Sequence, residues 1–254
     1  MSMDRPLAVA ILAAGKGKRM GNPDLAKVLA LLDGRPLLGY VLDQATALNP
    51  ATVVVIVGHQ ADAVRSYVAS HLPSARTALQ AEQLGTGHAV MQTKSDIVQL
   101  DADVLILSGD VPLVRASTLS ALVTDHRSAQ SDCTVLTTSI PDPTGYGRVM
   151  SNADGSIDRI VEHKDATDGE RSVNVINSGI YVVNGTLLFD ALDRVRNDNA
   201  QAEYYLTDIV HILRADGRRV RHYHAADHTE VLGINTPTEL AVASDVLKQR
   251  AITS

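Results

Sequence analysis

The sequence is poor in aromatic residues. Tyr, Phe and Trp together make up 3% of its 254 residues, with one Phe and no Trp. Because proteins that bind single-stranded nucleic acid without sequence preference stack the bases on aromatic side chains, this composition argues against such a partner. The formal net charge of -6 argues further against nucleic acid or an anionic membrane. Any anion site must therefore be a local concentration of positive charge.

Long apolar runs and cysteines are also scarce. No apolar run is long enough to span a bilayer. The polar start, residues 1–6, lacks a small-residue cleavage site, so we predict no signal peptide. Cys133 is the only cysteine and lies in an apolar neighbourhood, which favours a buried small hydrophobe over a nucleophile. We therefore expect a cytoplasmic protein with no membrane partner.

What the sequence has is 45% hydrophobic residues, arranged in a rhythm of apolar strands and amphipathic helices. Continuous apolar runs of strand length are typical of strands that are covered on both faces. Helical patterns follow these runs, beginning at residues 36, 61 and about 119. The predicted strands are residues 7–12, 52–57 and 104–107. This alternation predicts an α/β fold with a Rossmann-like, open, mostly parallel sheet and helices on both faces.

After residue 141 the pattern becomes β-rich. Short strand-like segments at 148–150, 157–161 and 173–183 predict an insertion that packs on the main sheet. Helical patterns return at 187–195 and 207–213. The last helix has a clear start, because Thr236 can cap it, Pro237 suits its first turn and Glu239 completes a capping box.

The segment LAAGKGKRM at residues 12–20 carries the strongest chemical signal. It follows the first strand directly, where open parallel sheets bind ligands. Gly15 and Gly17 let the backbone approach a phosphate, and cations supply positive charge. The spacing fits neither a Walker loop nor a dinucleotide fingerprint, and a flexible basic surface loop is the alternative. The cations of this region are Lys16, Lys18, Arg19 and Lys27.

Seven further segments follow in order along the chain. They are KVL at 27–29, QAEQLGTGHA at 80–89, GDVP at 109–112, DPTGYGR at 142–148, IVEHKDA at 160–166, EYYLTD at 203–208 and GIN at 233–235. With the glycine-rich loop, this set resembles the sugar-phosphate nucleotidyltransferase superfamily. Within it, the set is most similar to the uridyltransferase half of the bifunctional family that acetylates glucosamine 1-phosphate and then uridylates the product. The resemblance spans about residues 7–247.

The resemblance implies an enzyme that transfers uridylyl from UTP to N-acetylglucosamine 1-phosphate, giving UDP-N-acetylglucosamine and pyrophosphate. It implies catalytic contacts from Arg19 and Lys27 to the phosphates. The side-chain amide of Gln80 offers a donor and an acceptor that match the uracil edge, although an ordinary polar residue at a strand end is the alternative. The implied nucleotide-binding residues are Leu12, Ala13, Ala14, Gly15, Gln80, Gly85 and Thr86.

The resemblance also implies a metal site and a sugar site. Asp110 and Asn235 would hold Mg²⁺, which keeps waters and takes its remaining oxygens from substrate phosphates. A helix-capping turn for Asp110 and a loop tip for Asn235 are the alternatives. The implied sugar-binding residues are Gly147, Glu162, Asn177 and Thr207. Without the resemblance, the charged residues around Glu162 favour a solvated turn.

We expect one domain over residues 1–254. Its nucleotide-binding part would be 1–140 and its sugar-binding part 141–226, and residues 227–254 would hold the metal-binding loop and last helix.

A phosphate monoester is largely a dianion at neutral pH, since its second pKa is about 6. The attack on the α-phosphorus then needs no general base, and we expect catalysis by positioning and charge neutralisation. We expect a monomer or weak oligomer.

Three departures from the family pattern bear on these expectations. Ala26 stands where the family usually has proline, which could shift Lys27, and Ser108 replaces a frequent tyrosine, which bears on sugar selectivity. No hexapeptide repeats follow the last helix, so we expect no acetyltransferase activity here. Three alternatives stay open. The enzyme could use another sugar, such as glucose 1-phosphate, or another nucleotide. The chain could instead be a non-catalytic nucleotide-sugar sensor or a zinc protein. The zinc alternative uses His222, His224 and His228.

Overall fold

A mixed, mostly parallel sheet organises the structure, a computed structural model that describes residues 5–21, 24–152 and 155–253. Residues 1–4, on which the signal-peptide prediction partly depends, lie outside these ranges. Within the described ranges the main sheet has nine strands, and β2 and β3 form a separate ribbon. In chain order the strands are β1 (Leu7–Ala13), β2 (Leu31–Leu32), β3 (Arg35–Pro36), β4 (Thr52–Val57), β5 (Arg76–Leu79), β6 (Asp103–Ser108), β7 (Cys133–Ser139), β8 (Arg148–Ser151), β9 (Ile157–Val161), β10 (Val175–Asn184) and β11 (Val220–His224).

The strand order places the ends of several parallel strands at one edge. The order is β11-β7-β10-β6-β1-β4-β5, with β8 paired to β10 and β9 paired to β8. Strands β6, β1, β4 and β5 run parallel, and β11 runs parallel to β7. Strand β10 is antiparallel to both β6 and β7. The loops that leave β1, β4 and β6 therefore meet at the carboxyl edge of the sheet, where open α/β sheets bind ligands.

Helices cover both faces of the sheet. Side chains of β1 alternate between the faces, so that Val9 and Ile11 join one core while Ala8 and Ala10 join the other. Helices α1, α2 and α5 pack on the first core, and α3, α4, α7 and α8 pack on the second. The helices are α1 (Leu37–Thr46), α2 (Ala61–His71), α3 (Thr86–Met91), α4 (Lys94–Ile97), α5 (Ala116–Ser128), α6 (Asp168–Arg171), α7 (Gly185–Leu192), α8 (Asp208–Ala215) and α9 (Pro237–Thr253).

The predicted α/β class, with its mixed sheet and two helical layers, is confirmed. The structure differs from the prediction at β10, because most of the 173–183 segment lies in the middle of the main sheet instead of in the insertion. Strands β8 and β9 extend from it as the β-rich part. The apolar patterns did not predict three strands of the main sheet, β5, β7 and β11. They are short or rich in Thr, Arg and His, so they have no continuous apolar run.

The start of the last helix differs in detail from a capping box. The Thr236 hydroxyl accepts a hydrogen bond from the Glu239 N–H, as predicted, at 3.2 Å. The Glu239 carboxylate accepts instead from the N–H of Asn235, at 2.6 Å, one residue before the cap. Glu239 therefore holds the loop that carries Asn235. In the part of the chain that the structure describes, no helix is both long enough and apolar enough to cross a membrane.

Candidate active site

A cleft of about 450 Å³ opens at the carboxyl edge of the sheet, above β1 and β6. It brings together all seven predicted nucleotide-binding residues with Lys27 and Asp110. The cleft is lined by Leu12, Ala13, Ala14, Gly15, Lys16, Lys27, Val28, Gln80, Gln83, Gly85, Thr86, Ala89, Ser108, Asp110 and Glu203. Residues from five separate sequence segments thus share one surface. The sequence patterns did not single out Gln83 or Glu203, although both lie within quoted motifs.

Gly17 allows the glycine-rich loop to cross directly over Lys27. Its φ of +58° is in the left-handed region that favours glycine. A Cβ atom at this position would lie 2.6 Å from the Cβ of Lys27, so any other residue would displace the lysine. Ala26, immediately before Lys27, has φ of −58°, close to the value at which proline is locked. Ala26 therefore has a backbone φ that a proline would also adopt, and its effect on Lys27 stays a prediction.

Lys27, Asp110 and Asn235 form one polar cluster. The Lys27 ammonium donates to Oδ2 of Asp110 and, at 2.8 Å, to Oδ1 of Asn235. The side chains of Lys27 and Asp110 are only 14% and 19% exposed, so their attraction is screened less than that of a surface pair. The loop of Asn235 is held in place because the Ile234 N–H donates to the carbonyl of Asp110 at 2.9 Å. Two residues far apart in sequence thus present their oxygens to one cation.

This donor set fits a hard divalent cation. A carboxylate oxygen and an amide oxygen are ligands that Mg²⁺ accepts, and both converge on the point that the Lys27 ammonium now occupies. The zinc alternative has less support. His222 and His224 both lie beside the Thr137 hydroxyl, at 3.2 and 3.5 Å. Among the described residues, no group of three or more His, Cys, Asp or Glu side chains has the arrangement of a metal site.

Gln80 lies at the end of the cleft. Its side chain is 3% exposed, and its N–H donates to Gly85 at 3.0 Å. The same nitrogen lies 3.1 Å from Nδ1 of His88. These contacts hold the amide rigidly beside the loop of Gly85 and Thr86, as a residue that reads a base edge requires.

The four predicted sugar-binding residues also lie together, beside the cleft. The Asn177 N–H donates to the Gly147 carbonyl at 2.9 Å, and the Thr207 hydroxyl donates to Oε1 of Glu162 at 3.3 Å. A Cβ atom at Gly147 would lie 3.6 Å from both Glu162 and Asn177. Glu162 is half-buried, in contrast to the solvated turn that its neighbours indicate, and this burial raises the pKa of its carboxyl.

Arg19 is the one predicted site residue that the structure places neither in the cleft lining nor in the Lys27–Asp110–Asn235 cluster nor among the sugar-binding residues. It lies in the short 3-10 helix Lys18–Met20, is exposed, and is not among the residues that line the cleft. The sequence motif places it only four residues after Gly15, but it follows the turn at Gly17 and lies exposed in the 3-10 helix. Its contact with phosphate stays a prediction.

The fold defines the class of protein first. The structure is similar to that of a UDP-glucose pyrophosphorylase complexed with UDP-glucose, with a TM-score of 0.78 at 15% identity, over 96% of this chain and 98% of that chain. A UDP-glucose pyrophosphorylase from Acinetobacter baumanii has a TM-score of 0.71 at 19% identity, over 99% of both chains. Similarity at these identities establishes the fold, which is that of nucleotide-sugar pyrophosphorylases.

The family follows from the sequence. The model of the MobA-like NTP transferase domain matches residues 9–204, most of the chain, and the chain therefore belongs to this family. The bifunctional protein GlmU of Streptomyces avermitilis is 46% identical over 255 residues, which is 100% of this chain and 53% of that protein. The protein of the same name from Brevibacillus brevis is 46% identical over 243 residues, 96% of this chain and 52% of that protein. The chain spans about half the length of the curated relatives it matches.

Proposed function

We propose that the chain transfers uridylyl from UTP to N-acetylglucosamine 1-phosphate, releasing pyrophosphate. One observation carries this proposal: the cleft that collects the seven predicted nucleotide-binding residues is also lined by Lys27 and Asp110, which form one polar cluster with Asn235. The full-length similarity to proteins named GlmU supports the same assignment. A non-catalytic sensor needs a nucleotide pocket but has no need for a lysine and two metal-type ligands at its inner end.

In this proposal the nucleotide lies along the carboxyl edge of the sheet. The backbone of Leu12 to Gly15 holds its ribose and phosphates, and Gln80 with the loop of Gly85 and Thr86 reads the uracil. Lys16 lines the cleft, and Arg19 is exposed in the 3-10 helix that follows Gly17. Both cations would attract the β- and γ-phosphates, because a cleft lined by positive charge concentrates anions.

Asp110 and Asn235 would hold Mg²⁺, which would neutralise charge on the nucleotide and sugar phosphates. The Lys27 ammonium, which donates to these two side chains, can turn from them on its long, flexible stem. Lys27 can then donate to the oxygens of the α-phosphate, where negative charge develops during the transfer. The attacking phosphate is already ionised at neutral pH, so the site needs no general base.

Glu162, Asn177, Thr207 and the backbone of Gly147 would hold the sugar. Burial makes ionised Glu162 costly, as its raised pKa indicates. Sugar hydroxyls that donate to this carboxylate would offset the cost, which gives the site a preference for a ligand with donors at this position. Ser108, half-buried in the cleft wall, leaves room on the side where the family often has a tyrosine.

The test is pyrophosphate release by the purified chain with Mg²⁺ and UTP, offering N-acetylglucosamine 1-phosphate and glucose 1-phosphate in parallel. We expect a clear preference for the N-acetylated sugar. A preference for glucose 1-phosphate would keep the chemistry and change the substrate. UTP binding with no release in the presence of either sugar would contradict the proposed reaction and favour a sensor.

A further inference from the structure

Residues 203–207, which we call the bridge segment, connect the nucleotide cleft with the sugar site. Glu203 at its start lines the nucleotide cleft. Thr207 at its end is 4% exposed and donates to Glu162 in the sugar site. The position of Thr207 relative to the nucleotide therefore depends on how this five-residue segment is held.

Three hydrogen bonds hold the bridge segment against the loop of Gly85 and Thr86. Two are between backbone groups: the Tyr204 N–H donates to the Leu84 carbonyl, and the Gly87 N–H donates to the Tyr204 carbonyl, both at 2.8 Å. The third uses a side chain, because the Leu206 N–H donates to Oγ1 of Thr86 at 3.0 Å. This third bond is the one nearest to Thr207.

The two segments also pack without space between them. A Cβ atom at Gly85, whose φ is +108°, would lie 2.7 Å from the Tyr204 carbonyl oxygen. A Cβ atom at Gly87 would lie 2.9 Å from the same oxygen. Neither contact can be relieved by rotating a side chain, since the opposing atoms are backbone. The loop that reads the base and the bridge segment therefore move as one unit near Tyr204, and Thr86 extends this attachment to Leu206.

We propose that the Thr86 hydroxyl is a positioning residue for the sugar 1-phosphate. It accepts the Leu206 N–H and thereby sets the place of Thr207 and, through it, of the Glu162 carboxylate. Leu206 is 3% exposed, so its N–H has no ready replacement acceptor from solvent when the hydroxyl is removed. This role of the Thr86 side chain in sugar binding goes beyond the nucleotide contact predicted for the same residue. It rests on the proposed uridylyl transfer.

The test compares Thr86→Val, which has the same shape without the acceptor, with Thr86→Ser, which keeps it. Thr86 is itself exposed, so valine adds no buried volume. We expect Thr86→Val to raise the KM for N-acetylglucosamine 1-phosphate about tenfold, which corresponds to about 1.4 kcal/mol. The KM for UTP should change less than about twofold, because the backbone contacts to the base remain. Thr86→Ser should restore the sugar KM.

Thr93→Val is the matched control. Thr93 is fully buried just after α3, and its hydroxyl donates to the Val90 carbonyl at 2.7 Å, away from the bridge segment. It should lower thermal stability without separating the two KM values. If Thr86→Val does not fold, Thr86→Ala carries the same expectation. A sugar KM that stays at the wild-type value, or a UTP KM that rises equally, would overturn the proposal. A wild-type chain without pyrophosphate release would instead contradict the proposed function.

Discussion

At the scale of single residues, Lys27 has the most informative position. It lines the nucleotide cleft and also donates hydrogen bonds to Asp110 and Asn235. Its ammonium supplies the positive charge that these two oxygens attract. A lysine is suited to this double use, because its charge lies on a long stem that can turn from one partner to another.

Replacing Lys27 by alanine should remove most turnover and leave the fold intact. The change removes the cation that stabilises charge on the α-phosphate, and a loss of about 100-fold or more in kcat is typical when one such donor is removed. The variant should keep its circular dichroism spectrum. Lys94→Ala is the control, since Lys94 pairs with Asp193 at 2.8 Å on the surface. Near-normal turnover of Lys27→Ala would refute the assigned role.

The sequence predicts which residues meet here better than it predicts how. Asp110 follows a buried strand and Asn235 precedes a capped helix, and both positions can be recognised from the sequence pattern. Their bonds to Lys27 join residues 83 and 208 positions apart. These bonds also depend on the turn at Gly17 and on Glu239 holding the Asn235 loop. The exposed position of Arg19 results from the same turn and has no signal in the motif.

At the scale of elements, β10 is the feature that links the two sites. It runs antiparallel between β6 and β7, and its pairing with β7 shifts register between Asn177 and Tyr181. The Gly179 N–H within this bulge donates to Oδ1 of Asn177 at 3.0 Å and so fixes the orientation of this side chain. Bulges of this kind re-aim side chains near active sites. Pairing between distant strands is a tertiary property, so the apolar pattern alone could not predict it.

The start of α7 is packed too closely to accept a side chain. A Cβ atom at Gly185 would lie 2.9 Å from the Ala102 carbonyl oxygen. We expect Gly185→Ala to lower the free energy of unfolding by about 1–3 kcal/mol, as overpacking usually does. Gly169→Ala in α6 is the matched control, because no atom lies within 4 Å of its new Cβ. Thermal melts of both variants make the comparison, and equal melting temperatures would show that α7 can shift to make room.

At the scale of the whole molecule, a buried histidine couples stability to pH. His126 on α5 is 2% exposed and lies 2.9 Å from the Thr134 hydroxyl, while Asp103 is 3.9 Å away. Burial lowers the pKa of His126 below its ordinary value of 6.5, and Asp103 opposes this only in part. The unfolded chain therefore takes up the proton more readily than the folded chain. Stability from this group is present above pH 6.5 and is lost as the pH falls through that value.

Urea unfolding at about pH 7.5 and about pH 5.5 tests this linkage. The wild-type chain should lose more free energy of unfolding between the two pH values than His126→Gln, which has no titrating ring. All other residues are the same in the two proteins, so the difference between them isolates His126. An identical loss in the two proteins would mean that the pKa of His126 is the same in the folded and unfolded chains, which would contradict the linkage.

The architecture as a whole follows from the sequence more readily than the sites do. Continuous apolar runs in β1, β4 and β6 predict a parallel sheet covered on both faces, and each lies within one strand of the structure. The convergence of Glu162 with Thr207 could not be derived from local patterns, which indicate a solvated turn. It arises because β9 packs on α8, bringing residues 45 positions apart into contact.

The most direct measurement of the central claim follows the α-phosphorus of UTP. UTP labelled at the α-phosphate is incubated with the chain, Mg²⁺ and N-acetylglucosamine 1-phosphate, and the products are separated. Attack at the α-phosphorus in this cleft predicts that the label appears in UDP-N-acetylglucosamine, with one pyrophosphate released for each sugar nucleotide formed. Label that stays in UTP, or that appears in UDP or UMP without a sugar nucleotide, would contradict it.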